Sequence, residues 1–289
     1  MLSQHPQIAI AGKFDFLVDG ISPQGRFMKR DAFVRTLGLN RSFTELGLRI
    51  APGLNFAGLA NDFLDQIAAP KGATIVGATV HHDFDRLLRL WPDARFIHLV
   101  RDGRDVGLSM IPIGRAGNMW RGTVEWAAAE ELWARMSAKL PVERQISIKF
   151  EDFAGNAERE LQRIAAFLGV AYTPDMLRHD APAAYIAQLS GGMGKWRGAH
   201  PADLSAAEHR CARWLLQSGY FLSGSVRPPS ILRRILLGAQ DRFAVAMYRR
   251  QRIGTRLWLK GIFTRIFGTE AAKIRVKRQQ NEMIGRAAR

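Results

Sequence analysis

The sequence predicts an α/β fold built on a mainly parallel sheet, and two observations carry that expectation. Short apolar runs of strand length alternate with longer stretches of helical period between residues 7 and 219, a pattern that implies right-handed βαβ units. One run, 94-ARFIHLVRDGRDVGLSM-110, is nearly continuously apolar and then places four charged residues within five positions. A strand buried on both faces of a parallel sheet reads as such a run. Ligands of open α/β sheets bind beyond the carboxyl ends of the strands, so charge concentrated there points to a site.

The elements follow in order. Strands are expected at 7-QIAIA-11, 74-TIVGATV-80, 95-RFIHLV-100 and 145-QISIKF-150. In the third, Phe96, Ile97, Leu99 and Val100 supply the apolar run, and Arg101 stands where the strand stops. Asp102-Gly103 then brings turn chemistry, and Val106, Leu108 and Met110, with Arg104 and Asp105 on the polar side, open a helix. Helical spacing is expected over 56–67, 83–91, 104–111, 122–139, 157–168 and 205–219. Four strands are few for a body of this size, which leaves either a small sheet with helical insertions or a sheet from which something is missing.

Composition narrows the function classes. The 289 residues, 47% hydrophobic and 24% charged, are ample for a sizeable core. A single cysteine, Cys211, excludes an internal disulfide and suits a reducing, cytoplasmic compartment. The histidines are scattered except for His81-His82, no metal-ligand spacing appears, and no metal is expected. No apolar run reaches the ~20 residues of a membrane-spanning helix, and MLSQHPQ lacks the basic and apolar regions of a signal peptide.

The formal charge of +16 is unevenly placed. Residues 226–289 hold 16 Lys/Arg against three acids, a net of +13, while residues 1–225 hold 26 basic and 23 acidic residues. The body is close to neutral and the basicity belongs to the tail. The junction 223-SGSVRPPS-230 has linker or turn chemistry, so a domain at 1–225 and a basic helical tail at 226–289 are expected.

A phosphate held beyond a strand end calls for a bidentate arginine, a hydroxyl and backbone N–H groups, and Arg101 and Ser109 offer the first two. Equally, Arg101 could face solvent and pair with Asp102 or Asp105, and Ser109 could bond its own helix backbone. Arg104 and Asp105 have the spacing of structural loop electrostatics. The segment 189-LSGGMGKWRG-198 offers a Gly-rich backbone with Lys195 and Arg197 around Trp196, or else a plain surface loop. Trp120, Trp126 and Trp133 have core spacing.

These segments resemble the sulfotransferases that use 3′-phosphoadenosine 5′-phosphosulfate, in particular the bacterial and tyrosylprotein types. The likeness runs in order through 89-RLWPDARFIHLVRD-102, RDGRDVGLSM, 149-KFEDF-153 with 160-ELQRIAAFLGV-170, and 189–198, over roughly residues 2–220. It implies a P-loop-NTPase-like three-layer parallel sheet with helices on both faces. It assigns Arg101 and Ser109 to the nucleotide's 3′-phosphate, and Gly194, Lys195 and Arg197 to a segment closing over it.

The family's loop of type Pro-Lys/Arg-Ser-Gly-Thr, which cradles the 5′-phosphosulfate after the first strand, has no counterpart here. The segment 11-AGKF-14 lacks the earlier glycine and the following Ser/Thr of a phosphate loop. The first strand and that loop are therefore expected to be missing from this sequence, which puts the activity of this chain in question.

Family members take the acceptor proton with a His near the strand before the arginine segment or with a Glu after the second strand. The Glu position is Lys13 here, with Asp15 close by. His81 and His82 follow 74-TIVGATV-80, and histidine is a side chain able to accept a proton at neutral pH, although one of them could instead cap the helix starting at Asp83. The expected partners are the nucleotide donor and an acceptor hydroxyl or amine on a glycan, lipid, peptide or small molecule. In the tail, 231-ILRRILLGAQDRFAVAMYRR-250 and 256-RLWLKGIFTRIF-267 interleave apolar and basic residues, which suits either peripheral contact with an anionic membrane or packing on the body. Two classes of protein compete: a sulfotransferase, or a non-catalytic relative working through its tail on membrane or nucleic acid. The charge distribution makes nucleic acid the less expected partner of the two.

Overall fold

The computed structural model describes residues 1–178, 192–224 and 226–286. In chain order the elements are β1 Ile8–Lys13, α1 Asp15–Asp19, α2 Arg30–Leu37, α3 Arg41–Leu46, α4 Phe56–Ala68, β2 Ile75–Thr79, β3 Phe96–Val100, α5 Gly103–Ser109 and α6 Met119–Ser137. They continue as β4 Gln145–Lys149, α7 Phe150–Gly155, α8 Ala157–Leu168, α9 Pro201–Gln217, α10 Ile231–Ile253, α11 Thr255–Phe267 and α12 Glu270–Arg286. Two compact units result: Met1–Arg101 with Ala128–Met193, and Asp102–Ala127 with Gly194–Arg289.

The first unit holds all four strands, and every pairing is parallel, as the α/β expectation requires. β1 pairs with β2 from Ile8↔Ile75 to Ala11↔Ala78, and β3 with β4 from Phe96↔Gln145 to Val100↔Lys149. Among the described residues the two pairs are not joined by a further strand. β2 and β3 are mostly part-buried, with Val100 buried and Leu99 58% exposed on β3.

The core of this unit is rich in phenylalanine. Phe14, Phe16, Phe33, Phe43, Phe56 and Phe63 are buried with Leu17, Ile21, Leu37 and Leu59. Phe16 lies edge-on to Phe43 and Phe63 at 5.5 and 6.2 Å between centroids, the arrangement the ring quadrupole favours. α4 contributes Phe56, Leu59, Ala60 and Phe63, an i, i+3, i+4, i+7 stripe, and Asn55 caps it by accepting from Gly58 N–H. α8 is capped the same way by Asn156 and ends at Gly169, whose φ of 78° closes the last turn.

The strands and most helices fall within a few residues of their expected places. The stretch expected as a helix over 83–91 is a 3₁₀ segment, Phe84–Arg89; it ends just short of Trp91, which the following Pro92 biases away from helical backbone. α1, α2, α3 and α7 were not anticipated, and α12 only as part of the helical tail. α2 buries only Phe33 and Leu37, too short a stripe to register as a period.

In the second unit, Met119, Leu204 and Ala207 form a small core with Leu108, Trp196 and Ala199 against it. α10 lies against residues 114–118: Gly117 N–H donates to Asp241 at 2.7 Å and the Asn118 amide to the Leu237 carbonyl at 2.8 Å. Residues 226–286 are helical over most of their length, and among the described residues no helix is long and apolar enough to cross a membrane.

Candidate active site

The carboxyl ends of β1 and β2 lie side by side because the strands are parallel, and a register shift between Ala11 and Lys13 brings Lys13 opposite Thr79. The chain leaving β1 starts α1 at Asp15, and the chain leaving β2 passes directly to His81 and His82. The Asp15 carboxylate accepts from the His81 backbone N–H at 2.7 Å and lies 2.9 Å from His81 Nδ1. The three residues expected to supply the base, His81, His82 and Asp15, are thus brought together. His81 is 40% and Asp15 24% exposed at the side chain, so the pair is reachable from solvent.

Burial by itself would raise the Asp15 carboxyl, but the hydrogen bonds from the His81 ring and backbone, with His82 near, hold it below the ordinary aspartate range. Asp15 therefore stays ionised and can only accept. With an acceptor-only partner, His81 Nδ1 carries the ring proton and Nε2 is left as a base. His82 stands beside a second carboxylate set, 3.3 Å from Asp83 and 3.7 Å from Asp19. Asp19 is pushed upward, chiefly by burial. Asp19 was not singled out from sequence, although its spacing from Asp15, i, i+4 in 15-DFLVD-19, places both on one face of α1. Lys13, at the position of the family's Glu, is exposed at the end of β1.

Arg101 closes the first unit at the end of β3. Its guanidinium lies 4.7 Å over the Phe150 ring and donates through Nη2 to the Gly192 carbonyl. Among the described residues its buried Nε has no hydrogen-bond partner. A buried donor left unpaired costs about 1–3 kcal/mol, so this atom is suited to an anionic oxygen that the protein itself does not provide. Phe150 is the feature the sequence reading missed; its place directly after a strand, beside the arginine segment's partner strand β4, was the available signal.

The residues after Arg101 belong to the second unit. Arg104 is 2% exposed and makes a two-pronged pair with Asp102, a bond of 2.6 Å to Glu208 and a stack 3.5 Å over Trp196. Asp105 accepts from the backbone N–H groups of Gly194 and Trp196 at 2.6 and 3.1 Å. Both are structural, as their spacing suggested. The Gly194 N–H is therefore already engaged by Asp105, while Lys195 and Arg197 are exposed and Arg197 stacks on Trp196 at 4.7 Å. Gly194 sits at φ 70°, a conformation a side chain would strain. Ser109 is exposed and its hydroxyl donates to the Val106 carbonyl at 2.7 Å, so its proton is spent within α5. Residues 189–191 of the expected closing segment lie outside the described residues. Of the tryptophans, Trp126 is buried, Trp133 stacks on His98 at 4.4 Å and Trp120 carries the Arg210 guanidinium at 4.2 Å.

Parallel strands, a histidine–aspartate pair at the ends of one strand pair and an arginine at the end of the other define an α/β protein with its polar groups at the carboxyl edge of the sheet. The sulfotransferase domain from the curacin biosynthetic pathway shares this fold, with a TM-score of 0.52 at 16% identity over 76% of this chain and 92% of that one. The sulfotransferase domain from the Synechococcus PCC 7002 olefin synthase aligns at 16% identity over 83% of this chain and 95% of that one, with a TM-score of 0.41. The model of the Sulfotransferase family matches residues 1–174, and the chain belongs to that family.

Proposed function

We propose that this sulfotransferase moves a sulfuryl group from 3′-phosphoadenosine 5′-phosphosulfate to an acceptor hydroxyl or amine, with His81 as general base. The observation that carries the reading is the His81–Asp15 pair at the carboxyl ends of β1 and β2. Asp15 orients the ring through Nδ1 and stabilises the imidazolium, the role of the third member in a nucleophile–base–carboxylate relay. His81 Nε2 takes the acceptor's proton as the acceptor atom bonds to sulfur, and the sulfur–oxygen bond to the nucleotide breaks. The nucleotide supplies the sulfuryl group and a phosphate leaving group. His82, beside Asp19 and Asp83, is the second base candidate.

Arg101 is assigned to the nucleotide's 3′-phosphate, supported by its unpaired buried Nε and by a guanidinium already held by Phe150 and Gly192. Ser109, Gly194, Lys195 and Arg197 take the same assignment from the family resemblance alone. Calorimetry with adenosine 3′,5′-bisphosphate tests it: Arg101→Ala should weaken binding by on the order of 2–4 kcal/mol, and unchanged affinity in a folded variant removes Arg101 from the site. Transfer of labelled sulfate to a panel of acceptor hydroxyls and amines tests the reaction itself, and its absence with intact nucleotide binding favours a non-catalytic relative.

A further inference from the structure

Among the described residues the exposed large apolar side chains are not spread evenly: ten of sixteen lie between Ile231 and Met283, the stretch that also carries most of the chain's net positive charge. α10 has two opposed faces. Leu237, Asp241, Ala244 and Tyr248, spaced i, i+4, i+7, i+11, form the inner one: a side chain on Gly117 would strike Asp241 and Ala244, and one on Gly114 the Tyr248 ring. The apolar residues Ile231, Leu232, Ile235, Leu236 and Phe243 occupy the opposite arc, 53–77% exposed, with Arg242 and Arg249 on the same side by helical angle. They are surplus to the packing of the unit.

α11 repeats the arrangement. Its inner face meets α12, where a side chain on Gly261 would strike Gln280 and the Gln280 amide reaches the Leu257 carbonyl. Leu259, Phe263, Ile266 and Phe267, an i, i+4, i+7, i+8 stripe, are 53–72% exposed, and Arg256 lies along the same side by helical angle.

We infer that the outer faces of α10 and α11 dock on an anionic phospholipid membrane, lying in its interface without crossing it. Charge selects among occupants. A second copy would set one cationic face against another, within segments that each carry a net of +13 over residues 226–289, a repulsion that mutual burial must overcome. Nucleic acid would answer the charge but has no use for a stripe of Ile and Leu, since bases stack on aromatic and guanidinium planes. An anionic bilayer answers both at once: headgroups pair with Arg and Lys, and the acyl boundary takes the aliphatic and phenylalanine side chains.

Sedimentation of the full chain with vesicles tests this. Binding to phosphatidylcholine mixed with phosphatidylglycerol should be at least ~10-fold tighter than to phosphatidylcholine alone, and should weaken as salt rises. Phe263→Ser with Phe267→Ser should weaken it by roughly 10-fold or more while leaving the thermal melt and retention on heparin unchanged. Ile235→Ser with Leu236→Ser should do the same on α10. Equal binding to both vesicle types, or vesicle binding indifferent to both pairs of substitutions, overturns the inference. So does a dimer in free solution that the serine variants dissolve, or an affinity for DNA that exceeds that for the mixed vesicles.

Discussion

Asp15 and Arg104 show how one residue's surroundings decide its work. Asp15 has a depressed carboxyl, so its hydrogen bonds with His81 favour the fold above the ordinary aspartate range, about pH 4, and that contribution fades as pH falls through the depressed value. His81→Ala should therefore move the Asp15 titration upward, as read by carboxyl carbon NMR, and should erase this part of the acid dependence of unfolding. A titration unmoved by the substitution would show that other groups hold the carboxylate. Arg104 is a different case, closed off from solvent. Asp102 and Glu208 outweigh the opposing effect of its burial and hold its guanidinium above the usual range. Arg104→Met removes the buried guanidinium that both acids share and should cost about 3–5 kcal/mol in urea unfolding. Of these residues, the family resemblance pointed to Asp15 and sequence spacing to a structural Arg104, but Glu208, 104 positions away, had no signal in the chain.

At the scale of elements, the segment RDGRDVGLSM reads as a strand end, a loop and a helix, and β3 and α5 take those places. Why its glycines are there is a matter of helix approach. A Cβ on Gly122 of α6 would sit 2.3 Å from the Gly107 carbonyl oxygen, and one on Gly103 would sit 2.3 Å from the Trp126 ring. α5 and the start of α6 meet backbone to backbone. Gly122→Ala should cost about 1–3 kcal/mol by overpacking, seen as a lower melting midpoint, whereas Gly155→Ala, with nothing within 4 Å, should change little. If the two variants melt alike, the close approach of α5 and α6 is softer than described. Helical period locates such helices, but it carries no information on which face another helix will touch.

For the molecule as a whole, the compact units interleave along the chain, and residues 114–118 and α10 belong to one of them. Composition alone divides the chain at 225/226. Asp241→Ala removes the acceptor of the Gly117 N–H, a loss of about 1–3 kcal/mol if that donor is left unpaired. Hydrogen exchange should then speed up across 114–118. Exchange left as before would instead support residues 226–289 as an appendage that folds without the body.

The sequence by itself determined the α/β class, the four parallel strands, the arginine at a strand end and the concentration of charge in the tail. Each rests on local chemistry: apolar runs, turn residues and the count of ionised groups are written in neighbouring positions. Tertiary structure decided the rest. Register between β1 and β2 set Asp15 against His81, 66 residues apart; the stack on Phe150 and the bond to Gly192 left the buried Arg101 Nε without a partner among the described residues; and the seating of α10 determined which apolar side chains remain outside. Such contacts join residues distant in the chain, and their partners are chosen by the packing of whole elements, which no stretch of sequence specifies alone.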